Sequence, residues 1–265
     1  MAIGLAATQA AGLLASGGSM AKPFHSGKAA LNGLLAARLA QRGFISNPQA
    51  LEAPDGFLDT HAQGAYPNDV LAMDDRYLIM GTIFKSHAAC QLTHSSIENM
   101  LLLKQYHGIG AGAIEHVELQ VPRGYMSVCN IEEPKTALEA KFSLRGVAAM
   151  TLLGDDTRDV GAYSPERIQR VEITAMLRRI NVVARDDISG GTSIAIVNTT
   201  DGREIKLTSD TYKPIDDMRL KEDVVVRKFH SLIQPILGVN GALALKEGVM
   251  NINPEDTIQQ ILKLI

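Results

Sequence analysis

Apolar and polar positions along this chain of 265 residues change period three times. Residues 3–16 hold little that is polar beyond Thr8 and Gln9, which predicts a helix buried on most sides, broken at Gly17-Gly18-Ser19. Leu31, Leu34, Leu35 and Leu39 recur at helical spacing. A second helix is therefore expected from Ser26, as its N-cap, to about Gln41, with Gly43 ending it. Residues 47–75 carry Asn-Pro, Pro-Asp-Gly and Tyr-Pro-Asn-Asp punctuation and read as a short helix followed by a long loop.

From residue 76 the pattern alternates between element types. Tyr77 to Phe84 is a strand candidate, and Thr93 to His107 an amphipathic helix with Ile97, Leu101 and Leu102 on one side. Glu115 to Val121 alternates as a half-buried strand does, and Pro134 to Leu153 predicts one helix ended by Gly154. Pro165 stands at the first position of another helix, after Ser164. Ile180–Arg185, Thr192–Asn198 and Glu204–Thr208 read as strands, the last two joined by an Asp201-Gly202 hairpin turn.

The tail turns helical again over about 220–237, 239–247 and 254–265. The order predicts an α+β protein: a mostly helical domain built from residues 1–75 and 213–265 packed together, with a smaller α/β domain inserted at 76–212. No internal repeat, charge run or low-complexity linker interrupts it.

Composition narrows the partners. A net charge of −3 offers no electrostatic footprint for nucleic acid. Residues 1–18 lack a basic n-region and fall short of the ~20 apolar residues of a membrane span, so neither a signal peptide nor a membrane is expected. Cys90 and Cys129 are too few for a disulfide framework, and a reducing, cytoplasmic setting follows as the expectation. An apolar helix at the start of the chain suggests packing partners that precede it.

Two separated cationic clusters carry the candidate chemistry. Lys22-Pro23-Phe24-His25-Ser26-Gly27 opens the alanine-rich helix, and Lys85 to His94 joins the first strand candidate to the helix after it. Lysines at element ends bind carboxylates and strengthen their hold as negative charge develops beside them. Lys22 and Lys85 are assigned to carboxylate binding and enolate stabilisation, His25 and His94 to proton transfer near neutral pH. Ser26, Gly27, His87 and Cys90 join as substrate-binding candidates, Cys90 one helical turn before His94 and a weak donor. No ligand pairs stand at zinc spacing, so no metal is expected, and no glycine-rich phosphate loop accompanies the clusters.

The residues resemble the MmgE/PrpD family. Met20 to Ala30 looks like its lysine-histidine-glycine helix start, followed by Leu35–Phe44 and Gly56-Phe57. Phe84-Lys85 with Cys90 and His94, then Glu139 to Ser143, then Asp201-Gly202-Arg203 continue in the family's order. Where the family has tyrosine and proline after the second lysine, this chain has His87 and Ala88. The resemblance covers the C-terminal part of a typical member, which carries a longer helical region ahead of it.

The resemblance implies a lyase or isomerase needing no cofactor, acting on a small di- or tricarboxylic acid by proton transfer next to a carboxylate. It would be 2-methylcitrate dehydratase-like or cis-aconitate decarboxylase-like, with an iminodisuccinate epimerase-like isomerase as the alternative. It implies Tyr125 as a further proton donor and a homodimer as the assembly. Two other readings stand beside it: a truncated, silent relative or a subunit that needs a helical partner, and a plain carboxylate-binding protein.

Overall fold

The computed structural model describes residues 1–16, 19–62 and 78–265. The chain divides into two compact units, residues 1–80 and 81–265. The break expected at Gly17-Gly18, most of the loop after residue 62 and the domain boundary near residue 75 lie outside the described residues.

The first unit contains α1 (Ala2–Ala7), α2 (Ala21–Gln41) and α3 (Phe57–Ala62). The long apolar helix expected over 3–16 stops at Ala7. Thr8 Oγ1 and Gln9 Nε2 both bond back to the Leu5 carbonyl, at 3.0 and 2.9 Å, and a 3-10 turn at Leu14–Ser16 replaces the rest. Such local side-chain bonds offer the backbone an alternative to the helical ladder. Only Gly4 and Leu5 of α1 are buried, so it is not enclosed on most sides. Helix α2 begins at Ala21, five residues before the expected N-cap, which corrects the role of Ser26. Pro23 sits in the first turn, where its missing N–H costs nothing. Gly43, at φ 85°, follows the end of α2 as expected.

The second unit begins irregularly. Leu78–Gly81 is a 3-10 turn and residues 82–86 have no regular structure, so the first strand candidate is not a strand; Tyr77 lies outside the described residues. A 3-10 turn at Gln91–Thr93 launches α4 (His94–His107), which Gly108 ends in the left-handed conformation. Its buried face carries Ile97, Met100 and Leu103, while Leu101 and Leu102 are half-buried. Strand β1 (Ile114–Pro122) leads through α5 (Met126–Cys129), α6 (Ala137–Ala140), α7 (Leu144–Leu152), α8 (Pro165–Ile168) and α9 (Val171–Leu177) to β2 (Ile180–Arg185). Then come β3 (Thr192–Thr199), β4 (Glu204–Asp210), α10 (Met218–Met250) and α11 (Ile258–Leu262).

The single helix expected over 134–153 is two. Thr136 and Glu139 form a capping box for α6, and Ser143 restarts the chain by accepting from the Gly146 N–H at 2.9 Å while donating to the Ile131 carbonyl. Helix α10 matches the expected pair 220–237 and 239–247, because Gly238 stands at φ 69°, ψ 176° and folds the chain there.

The sheet is mixed, in the order β2-β1-β3-β4, with β1 parallel to β2 and antiparallel to β3. The β3–β4 pair is antiparallel and turns through Gly202 at φ 84°. Residues alternate strictly along β3, burying Ser193, Ala195, Val197 and Thr199. These small side chains let α4 lie close, and Asn99 fixes it there. Asn99 Nδ2 donates to the Ser193 carbonyl and hydroxyl at 3.1 and 2.9 Å, and Ser209 donates to Asn99 Oδ1 at 2.8 Å. A buried polar network fully satisfied in this way specifies one register of helix on sheet. That register sets the position of His94, the first residue of α4. The architecture is α+β.

Candidate active site

The segment from Lys85 to His94 is held by bonds that come from far along the chain. The Ala88 N–H donates to the Thr157 carbonyl and the Cys90 N–H to the Lys141 carbonyl, both at 2.9 Å. Tyr163 OH donates to that same Thr157 carbonyl at 3.1 Å. An irregular stretch is thereby tied to two distant parts of the chain.

Both His87 and His94 are 1% exposed, and their rings meet edge to face with centroids 5.0 Å apart. His87 Nδ1 lies 2.7 Å from Thr157 Oγ1 and Nε2 lies 2.9 Å from Glu98 Oε1. With both nitrogens engaged inside the protein, His87 supports His94 and has no ring nitrogen left for a ligand. His94 is the opposite case. Its Nε2 is buried and has no hydrogen-bond partner among the described residues. Burial first, then His87, Lys85 and Lys228, push its pKa down to about 3, against a raising contribution from the Ala89 backbone. His94 is therefore a neutral imidazole across the working pH range, at the start of a helix whose free N–H groups favour an anion.

Two cations flank it. Lys85 is exposed, and Lys228 of α10 donates to the Lys85 backbone carbonyl. Burial, then Lys85, lower the pKa of the Lys228 amine. No carboxylate among the described residues forms an ion pair with either lysine. Sequence reasoning missed Lys228, because a lysine inside an amphipathic helix carries no local signal. Glu98, inside α4, and Thr157, in a turn, carry no local signal either.

The other candidates take different places. Tyr125 is buried, and its hydroxyl accepts from the Gly191 N–H at 2.7 Å. Burial pushes its pKa up to about 12, so here the phenol ties the end of β1 to the turn before β3. Cys90 and Cys129 are buried in the core, where contact with Cys90 and burial raise the Cys129 thiol. Lys22, His25, Ser26 and Gly27 lie in the first two turns of α2, in the first unit. His25 is half-buried against Gly12, where an added Cβ would sit 3.4 Å from its Nδ1. Lys22, Ser26 and Gly27 are exposed. Among the described residues no group of three His, Cys, Asp or Glu side chains is placed to hold a metal ion. No helix there is long and apolar enough to cross a membrane.

Comparison with known proteins agrees with the motifs. The MmgE/PrpD C-terminal domain matches residues 87–253 and the MmgE/PrpD N-terminal domain residues 1–69. Cis-aconitate decarboxylase of Aspergillus terreus is 25% identical over 289 aligned positions, covering 100% of this chain and 58% of that protein. The same enzyme from a second strain of that fungus, NIH 2624 / FGSC A1156, is 24% identical over the same shares. The chain thus spans little more than half the length of these relatives. On the two matched domains, the chain belongs to the MmgE/PrpD family, a family of dehydratase and decarboxylase type.

Proposed function

We propose that this chain is a lyase or isomerase acting on a small di- or tricarboxylic acid, transferring a proton at the carbon next to a carboxylate. The observation that carries the reading is a neutral, buried imidazole whose Nε2 has no hydrogen-bond partner among the described residues, flanked by two lysines that form no ion pair there. Adjacent ammonium groups repel, and a carboxylate on the ligand relieves that repulsion, while the unpaired Nε2 lone pair would face a hydrogen of the ligand. His94 Nε2 would take or return the proton, while Lys85 binds the carboxylate and stabilises the enolate charge. On the first unit, Lys22 is proposed as a carboxylate-binding cation and His25 as an acid or base, with Ser26 and Gly27 as substrate-binding residues.

The relatives' printed name makes decarboxylation of cis-aconitate the first reaction to try, ahead of a methylcitrate-type dehydration and an epimerisation of iminodisuccinate. Incubating the chain with each acid and following products by proton NMR tests the reading. Turnover of one acid, lost by more than a hundredfold in Lys85→Ala, Lys22→Ala and His94→Asn, is the expected outcome, since one base or oxyanion donor is worth about 10²–10⁴. Normal rates in all three variants would refute the assignment.

One observation favours a second reading, a subunit that works with a helical partner. Helix α2 leaves Phe24 and Leu31 each 64% exposed and buries only Ala36. A chain that is monomeric, binds no apolar dye and turns over a polycarboxylate removes this option; a homodimer that buries the helix satisfies it.

A further inference from the structure

We infer that Lys228 is a working part of the anion site, both the second cation facing the substrate's carboxylates and the post that positions Lys85. The inference rests on the carboxylate reading above and deepens it. Lys228 stands 143 residues after Lys85, on α10, and its ammonium group donates to the Lys85 carbonyl. That bond fastens a helix to a stretch, residues 82–86, that has no ladder of its own to satisfy its backbone.

A cavity of about 230 Å³ opens beside the bond, with walls formed by Phe84, Val225, Phe229 and Leu232 and the two lysines as its polar groups. Apolar walls weaken the screening of those charges and strengthen whatever they bind. A lysine serving only solubility would extend into water, yet Lys228 is half-buried in a setting that disfavours its charged form. The Lys85 carbonyl uses one of its three N–H donors, which leaves two for a ligand. Lys228 also contributes to holding His94 neutral, so the same charge that binds the substrate keeps its base unprotonated.

His87 packs on the His94 ring and is engaged by Glu98 from α4 and by Thr157, and Lys85 comes from the segment before it. Glu98 is taken up by His87, and no carboxylate among the described residues pairs with the two lysines, as a bound carboxylate would.

Tricarballylate, a tricarboxylate with no hydroxyl group or double bond to react, is a suitable probe for calorimetry on the full chain. Lys228→Met is expected to weaken its binding by about tenfold or more, the loss of one hydrogen bond to a charged group, and to flatten its salt dependence. Lys228→Arg should retain most of the affinity. Lys206→Met, an equal change in net charge at an exposed position of β4, should leave it unaltered.

A second measurement needs no variant. In lysine-labelled protein followed by NMR, the Lys228 amine should titrate at higher pH once tricarballylate is bound, because a neighbouring carboxylate favours the ammonium form. A lysine that is only a strut would not move. Wild-type affinity in Lys228→Met, or a Lys228 titration that the ligand leaves unchanged, overturns the inference while the carboxylate reading stands. A folded wild-type chain that binds no tricarboxylate sinks both.

Discussion

The two units of this chain use the same alanine- and leucine-rich alphabet to opposite ends. In the second unit, α4 and α7 bury Ile97, Met100, Leu103, Leu144, Val147 and Met150 against the sheet, and polar side chains such as Asn99, His87 and His94 enter the interior only with the geometry described above. In the first unit, α2 runs 21 residues with Ala36 as its buried position, and Leu31, Leu34 and Leu35 lie open. The difference teaches that helical periodicity announces an apolar face without saying whether anything covers it. Burial in the second unit comes from a sheet that offers small residues for α4 to lie on. The described residues of the first unit contain no such platform.

The largest effect that can break this comparison is a core deletion. Ile97→Ala or Met100→Ala should destabilise the chain by about 2–5 kcal/mol in urea titrations, because each leaves a void beneath α4. A cost near zero would mean that the second unit's interior is as loosely held as α2.

Acid sensitivity sharpens the contrast next. Unfolded His94 takes its proton near pH 6.5, whereas in the folded chain its pKa is about 3. Between those values the unfolded state holds the extra proton, so lowering the pH removes stability at about 1.4 kcal/mol per pH unit for this one group. His94→Asn should flatten the slope of stability against pH over that window; an unchanged slope would show that the site is wet rather than buried.

A smaller effect belongs to the hairpin. Gly202→Ala places a side chain at φ 84° with open space around it, so backbone strain alone should cost about 1–2 kcal/mol in the same titrations. The smallest belongs to the first unit. Leu31→Ala should change stability by no more than about 0.5 kcal/mol, as an open surface position does. A loss of 2 kcal/mol or more would place that leucine in an interface and end the contrast between the units.

Much of the second unit could be read before any coordinates. The β3–β4 hairpin is a property of local chemistry: strict alternation on either side of an Asp-Gly pair whose glycine takes the positive φ of the turn. The start of α8 at Ser164-Pro165 and the fold in α10 at Gly238 are local in the same sense. The apolar run Leu78-Ile79-Met80 reads like a strand because a strand and a turn share that composition; no strand edge pairs with the described part of it, and a 3-10 turn results. The split between α6 and α7 had a legible signal in Thr136-x-x-Glu139 and Ser143, two capping residues inside what the period took for one helix.

The site divides along the same line. Sequence alone determined that Lys85 and His94 stand within one short segment, that α4 begins beside His94, and that the motifs follow the MmgE/PrpD order. Whether a histidine is a base or a support depends on what reaches its ring nitrogens. Thr157 comes to His87 from 70 residues away, and nothing among the described residues comes to His94 Nε2. Lys228 enters from still farther. Hydrogen bonds and desolvation act over a few ångströms of space whatever the separation along the chain, so only the tertiary structure decided which imidazole keeps an unpaired nitrogen and which cations stand near it.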